Sequence, residues 1–417
     1  MRNPCLALRR PAARMADITP FYVMQLLGRA KELEEQGRRI IHMEVGEPDF
    51  PTPEPIVEAG MAALAAGYTK YTAALGIPAL REAIAGFYRQ RYGVDIPPGR
   101  IAVTPGASAA LQLALAVVID PGDDVIVSDP GYPCNRNMIR LLGGNPIDIP
   151  TGPDTAYQLT PGLVSHYITP STTAIVLASP SNPTGTLVPS RDMAGILELA
   201  DRARAEPAPV GRDRRPPVLV ADEIYLGLVY GAGAGSDAGG AGTNTALALS
   251  DGILVVSGFS KYFGMTGWRL GWLVVPEGFM GDVEKLAQNL YLSAPTMAQY
   301  GALAAFRPET LAILEDRRGE FRRRRDFLLP ALREIGFTIP AEPQGAFYLY
   351  ADCSRFTENS LSFARALLEN AGVAVTPGLD FGKNAPHRHI RFAYTTCMEN
   401  LHAGVERLRD YLSHSSH

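Results

Sequence analysis

The sequence predicts an α/β protein built on a mainly parallel sheet with helices on both faces, followed by a smaller α+β unit. Three observations carry this expectation. Between residues 101 and 275, short apolar runs alternate with segments of helical period. Those runs are continuously apolar rather than alternating, as in strands covered on both faces. With 417 residues the chain exceeds one small core, which predicts two or three compact units.

In chain order, residues 20–36 read as a helix with Val23, Leu26, Leu27, Ala30 and Leu33 on one face and Gly37 as its stop. A short strand over 40–43 leads into Glu44-Val45-Gly46-Glu47-Pro48-Asp49-Phe50-Pro51, a loop by its Gly and Pro content. Helices over 56–66 and 78–92 flank the polar stretch 68–72. Strands then fall at 101–103, 124–127, 173–177, 218–220, 253–256 and 271–275; helices begin at Ala107, near Pro133 and at Ser190, and a short helical turn comes after Val220. Residues 205–217, rich in Pro and Arg, and 231–243, rich in Gly and Ala, read as surface loops without any G-x-G-x-x-G spacing. Past Pro276 one long helical region is expected to about Arg333, its basic run Arg322, Arg323, Arg324 and Arg325 forming a solvated face. Strands near 347–351, 373–376 and 389–393, with helices over 361–370 and 400–411, complete the smaller unit.

Composition narrows the function. A content of 46% hydrophobic and 20% charged residues suits a soluble globular protein, and a net charge of -4 with pI near 6.0 leaves no footprint for nucleic acid or an anionic membrane. No apolar run reaches bilayer-spanning length. Cys5, Cys134, Cys353 and Cys397 are widely spaced, so neither a disulfide framework nor a zinc site is expected, and a reducing cytoplasm fits best. His387 and His389 lack a ligand set at metal spacing, so no metal is expected. Residues 1–17 are expected to be a disordered tail; its first fourteen residues, with Arg2, Arg9, Arg10 and Arg14 and no acid, also suit a targeting arm, or an upstream start with Met15 as initiator.

Only five lysines occur among the 39 cations, and only Lys261 comes after a buried strand, in Ser257-Gly258-Phe259-Ser260-Lys261-Tyr262. A guanidinium cannot act as an amine nucleophile, whereas a desolvated lysine can lose its proton and condense with an aldehyde. Lys261 is therefore either a Schiff-base residue or a lysine snorkelling at a strand end. Other notable residues also fall at carboxyl ends of predicted strands, where open α/β sheets bind ligands. Asp222, after Val218-Leu219-Val220, suits a helix cap or the partner of a protonated ring nitrogen, and Tyr225 suits an adjacent ring oxygen. Asn182 stands in turn chemistry, Asn182-Pro183-Thr184-Gly185, from which its amide can also donate to a phenolate. Gly106, Ala107 and Ser108 open a helix and leave free N–H groups for an anion; Ser260 and Arg269 can complete that cradle. Tyr132 offers an aromatic face over the same crevice or fills core, and Arg391 offers a bidentate cation or a surface charge.

Taken jointly, and above all through Ser260-Lys261-Tyr262-Phe263-Gly264-Met265-Thr266-Gly267-Trp268-Arg269-Leu270-Gly271, the chain from about Ile18 to Tyr411 resembles the fold-type I pyridoxal-phosphate aminotransferases of class I/II, the aspartate-aminotransferase-like family. The resemblance implies a seven-stranded sheet in a large domain over 51–290, an arm over 18–50 that joins the small domain, and an interdomain helix with the small domain over 291–413. It implies that Lys261 carries pyridoxal phosphate, that Asp222 pairs with the ring nitrogen, and that Asn182 and Tyr225 bind the ring hydroxyl. Tyr132 stacks on the ring, while Gly106, Ala107, Ser108, Ser260 and Arg269 hold the phosphate. Arg391, Asn182 and the Gly46 backbone take the substrate carboxylate. Tyr71 reaches the phosphate in a neighbouring subunit, which implies a homodimer with shared sites. Gly258 departs from the pattern, since many relatives carry a phosphate-binding serine there.

The implied reaction is transfer of an amino group from an L-amino acid to a 2-oxo acid, with 2-oxoglutarate as acceptor. A carbon–sulfur β-lyase or a decarboxylase on the same scaffold is the alternative, because fold does not fix reaction. A regulator's effector domain would need a DNA-binding domain ahead of Ile18. Ser108 stands where aspartate-selective relatives can carry a lysine, which argues against strict aspartate preference.

Overall fold

The computed structural model describes residues 11–203, 215–231 and 245–414. Most of the two expected loops, 205–217 and 231–243, lies outside the described residues. The strands are β1 (Ile41–His42), β2 (Ile101–Thr104), β3 (Asp124–Asp129), β4 (Asn145–Pro150), β5 (Thr172–Ala178), β6 (Val218–Asp222), β7 (Leu254–Gly258), β8 (Gly271–Val274), β9 (Tyr348–Asp352), β10 (Val373–Ala374), β11 (Thr376–Pro377) and β12 (His389–Ala393). Seven of them form one sheet in the order β2-β8-β7-β6-β5-β3-β4, in which only β8 runs antiparallel to its neighbours. The carboxyl ends of β2, β3, β5, β6 and β7 therefore share one edge. Burial explains the continuous apolar runs: β2 is buried throughout, as are Val255 and Val256 in β7, with separate hydrophobic clusters on the two faces of the sheet.

Helices α1 (Tyr22–Glu35), α2 (Glu54–Ala65), α3 (Pro78–Tyr92), α4 (Ala107–Ala116), α5 (Pro133–Leu141), α6 (Pro161–Tyr167) and α7 (Ser190–Ala203) precede β6 in the chain. The helical region expected as one piece after Pro276 is three: α8 (Met280–Leu290), α9 (Thr296–Leu303) and α10 (Pro308–Ile335). Pro295 stands at the N-cap of α9 and Pro308 at the first turn of α10, positions where proline's missing N–H and fixed φ favour a helix start, although α10 carries Pro330 in its interior. Helix α11 (Ser360–Ala366) packs on the antiparallel sheet β11-β12-β9, and α12 (Met398–His414) packs against α10 and the β1-β10 pair. The strand expected over 373–376 divides: β10 pairs in parallel with β1, and β11 pairs with β12. That pairing ties the early chain to the late one.

Two further expectations need correction. Residues 13–16, placed in a disordered tail, form a 3-10 turn, because Arg14 donates to the Leu141 carbonyl at 3.4 Å and Arg140 to the Asp17 carbonyl at 2.6 Å. The basic run in α10 is solvated at Arg322 and Arg323 but not throughout. Arg324 is 3% exposed, gives both terminal nitrogens to Asp49 at 2.7 and 3.1 Å, and lies over the Phe50 ring at 4.9 Å. Helical spacing puts it on the inner face beside buried Phe321 and Leu328. Replacing it with alanine is expected to lower stability by about 2–3 kcal/mol, below the full value of a buried pair because Asp49 keeps some solvent. A urea titration would show the loss as a lower midpoint with unchanged slope.

Candidate active site

One cavity of about 320 Å³ opens at the shared carboxyl edge of the sheet. Lys261, Asp222, Tyr225, Asn182, Tyr132, Ala107, Ser108, Ser260, Arg269, Arg391 and Gly46 all line it. Residues 46 to 391 of the chain thus converge on one space.

Lys261 comes after β7 and a two-residue turn, and its Nζ donates to the Gly46 carbonyl at 2.6 Å. Gly46 must lack a side chain, since a Cβ there would lie 1.9 Å from the Tyr348 hydroxyl. Burial lowers the Lys261 amine to about 8; Arg391 and Arg269 push the same way, and Glu47 and Asp222 oppose them. Asp222 ends β6 and is 8% exposed. Burial raises its carboxyl to about 6, against a hydrogen bond from the Ile224 N–H at 3.1 Å and the charge of Lys261. An amine that loses its proton easily thus shares a cavity with a buried acid. The sign of the lysine shift has a measurable result: uptake of pyridoxal phosphate by the cofactor-free protein is expected to rise about tenfold per pH unit up to about 8 and then level, because only the neutral amine attacks an aldehyde. Growth of visible absorbance reports the rate, and a rate constant flat from pH 6 to 8 would contradict it.

The anion corner is built from backbone. Gly106 takes φ +86° and Ala107 starts α4, so the orphan N–H groups of the helix face the cavity. Arg269, itself left-handed at φ 54°, fills the space beside Gly106: a Cβ on that glycine would lie 2.6 Å from its Nη2. Ser108 and Ser260 add hydroxyls. The departure at Gly258 has a packing reason, since a Cβ there would meet Ile224 Cδ1 at 3.1 Å and Gly271 Cα at 3.2 Å. Gly106 does not itself line the cavity but shapes the cradle through Arg269.

Arg391 comes from β12, opposite Thr376 and Tyr350 in the register. It is 5% exposed, donates to Asn182 Oδ1 at 2.8 Å and to the Glu44 carbonyl at 2.6 Å, and stacks 4.2 Å over the Tyr348 ring; its buried Nε has no partner. With Oδ1 turned to Arg391, the Asn182 amide nitrogen remains a donor. The Tyr225 and Tyr348 hydroxyls lie 2.7 Å apart. Tyr71 is 80% exposed and stands outside the cavity.

Several lining residues escaped the sequence reading: Tyr348, Thr376, Asp380, Phe381, and Phe21, Val23 and Met24 around the start of α1. Thr376 had a signal in its cross-strand pairing with Arg391, but pairing is invisible until the strands are in place. The start of α1 had none, because a helix and a strand of intervening chain separate it from Gly46.

An attackable amine, a buried acid and a helix-start anion cradle at the carboxyl edge of a parallel sheet match the aldehyde, pyridine nitrogen and phosphate of pyridoxal phosphate, and the missing Cβ at Gly106 is what keeps the cradle open. Fold and site thus define a pyridoxal-phosphate enzyme. The aminotransferase class I and II family matches residues 38–408. The chain is 36% identical over 400 residues to the valine–pyruvate aminotransferase of Mycobacterium tuberculosis, covering 96% of this chain and 98% of that one. It is likewise 36% identical over 402 residues to the aspartate/prephenate aminotransferase of Thermus thermophilus, covering 96% and 98%. A crystal structure of an aminotransferase from Mycobacterium tuberculosis superposes with a TM-score of 0.89 at 36% identity, covering 97% of this chain and 99% of that one. This chain belongs to the class I and II aminotransferases, whose aspartate-aminotransferase-like members use pyridoxal phosphate.

Proposed function

We propose that the enzyme exchanges an amino group between an L-amino acid and a 2-oxo acid in two half-reactions, each product leaving before the next substrate enters. The observation that carries this is the convergence of Lys261, Asp222, Arg269 and Arg391 on one cavity. When bound, pyridoxal phosphate supplies a sink for the electron pair left as the substrate Cα proton departs. The protein does the rest. Lys261 would hold the cofactor at rest, and its Nζ, once free, would take the substrate Cα proton and give it back. Asp222 would keep the ring nitrogen protonated, Asn182 and Tyr225 would donate to the ring hydroxyl, and Tyr132 would cover the ring. Gly106, Ala107, Ser108, Ser260 and Arg269 fix the phosphate, and Arg391, Asn182 and the Gly46 backbone fix the substrate α-carboxylate.

Tyr71, exposed on a single chain, suits the phosphate site of a second copy, and on this ground we take the enzyme to be a homodimer. The small domain is proposed as 18–50 with 291–413, and the cofactor domain as 51–290. Among the described residues no helix is long and apolar enough to cross a membrane. A cytoplasmic location is proposed on cysteine usage alone.

The relatives' names differ in substrate, valine–pyruvate in one and aspartate/prephenate in another. Family membership therefore leaves the donor open. 2-Oxoglutarate, the acceptor expected from sequence, would need a cation for its distal carboxylate. The test is direct: purified enzyme with an amino acid and a 2-oxo acid should form both exchange products and give parallel double-reciprocal plots. Pyruvate released from cysteine or cystathionine without any oxo acid would instead assign a β-lyase.

A further inference from the structure

We infer that this site selects amino acids with neutral, apolar side chains and, in the return half-reaction, 2-oxo acids with a single carboxylate; the inference rests on the aminotransferase reading above. The balance of charge in the cavity carries it. Among the described residues the lining cations are Lys261, Arg269 and Arg391. In the proposed mechanism all three are occupied, by the aldehyde, the phosphate and the α-carboxylate. No cation of this chain remains for a second carboxylate.

The charges left over have the opposite sign. Besides Asp222, the lining acids are Glu44 and Asp380, and both stand on the Arg391 side: Glu44 gives its carbonyl to Arg391 at 2.6 Å, and Asp380 feels the Arg391 charge. A side-chain carboxylate entering there would lose water and meet the Asp380 acid, while the Glu44 carboxylate, ion-paired with His42, offers it no cation. Nor do these acids await a cation. Asp380 is 7% exposed and accepts from the N–H groups of Tyr22 at 2.7 Å and Val23 at 2.9 Å. Glu44 is fully buried and holds His42 Nδ1 at 2.7 Å.

Those same bonds build an apolar wall. Phe21, at the N-cap of α1, contributes no side-chain cap; the Asp380 carboxylate, 358 residues beyond Tyr22, caps the helix instead. Asp380 thereby fixes Phe21, Val23 and Met24 against the cavity, next to its own neighbour Phe381. Removing water from an apolar side chain against this wall is favourable, and removing it from a carboxylate is not.

The holoenzyme should be given alanine, valine, leucine, phenylalanine, aspartate, glutamate and lysine singly, with conversion of the bound cofactor read by absorbance. Valine, leucine or phenylalanine is expected to exceed aspartate, glutamate and lysine in kcat/KM by at least roughly 100-fold. Pyruvate should exceed 2-oxoglutarate as acceptor by a similar factor. Comparable rates for aspartate or glutamate would overturn the inference while leaving the aminotransferase reading intact; conversion of none would sink that reading itself. A variant tests the wall. Met24 is 58% exposed, so Met24→Lys should fold, and it is expected to raise glutamate at least about tenfold relative to valine. An unchanged ratio would remove the start of α1 from the side-chain pocket and overturn the assignment.

Discussion

Lys261→Ala is expected to lower turnover by at least about 100,000-fold and to abolish the visible absorbance of the lysine-bound cofactor, while leaving the melting temperature of the cofactor-free protein nearly unchanged. The loss is large because one atom has two tasks. The Lys261 nitrogen holds the cofactor and moves the substrate proton, and no other lysine lines the cavity to replace it. Stability should not fall, since removing an amine whose burial already pulls it down to about 8 relieves a desolvation cost. Lys261→Arg keeps the charge and should be equally inactive, because a guanidinium does not deprotonate at working pH. Small exogenous amines should partly restore proton transfer in Lys261→Ala but not in Lys261→Arg, where the side chain fills the space. Turnover in either variant within tenfold of the parent would exclude Lys261 from the chemistry.

Asp222→Ala should cost on the order of 1,000-fold in kcat, with a much smaller change in KM for the amino acid. The Asp222 carboxylate lies at the end of a buried strand, where low solvent access makes its charge effective, and the Ile224 N–H aims it. Without it nothing keeps the ring nitrogen protonated, and the electron sink weakens. Asp222→Glu retains the charge and should recover most of the loss. The pH profile supplies an independent check. Burial raises the Asp222 carboxyl to about 6 in the protein alone, and its ionised form is the useful one. Activity should therefore fall as pH drops through 6 or below, the positive ring nitrogen shifting the limb downward. A parent profile and an Asp222→Ala profile with the same acid limb would show that another group titrates there.

Much of the site was legible in the sequence because strand ends announce themselves. Val218 to Val220 and Ile253 to Val256 are apolar enough to be recognised as buried, and residues just past a buried strand stand at the ligand edge of a parallel sheet. Local punctuation was equally readable: Pro78 and Tyr92 bound α3 as expected, with Gly93 left-handed at φ 67° behind it. The strand β4, Asn145–Pro150, has no such signal: it is an edge strand whose two prolines and Asp148 disguise it.

What the sequence determined by itself was the set of chemical groups and their order along the sheet, since strand, turn and helix signals are local and a residue's neighbours report its place in them. Only the tertiary structure decided the substrate end. The Asp380 carboxylate capping α1 from 358 residues away, the Glu44 carbonyl under Arg391 and the burial of Arg324 against Asp49 all join distant segments. Their energies come from excluding water between surfaces that no local pattern records, so the shape and charge of the side-chain pocket emerge only when the chain is folded.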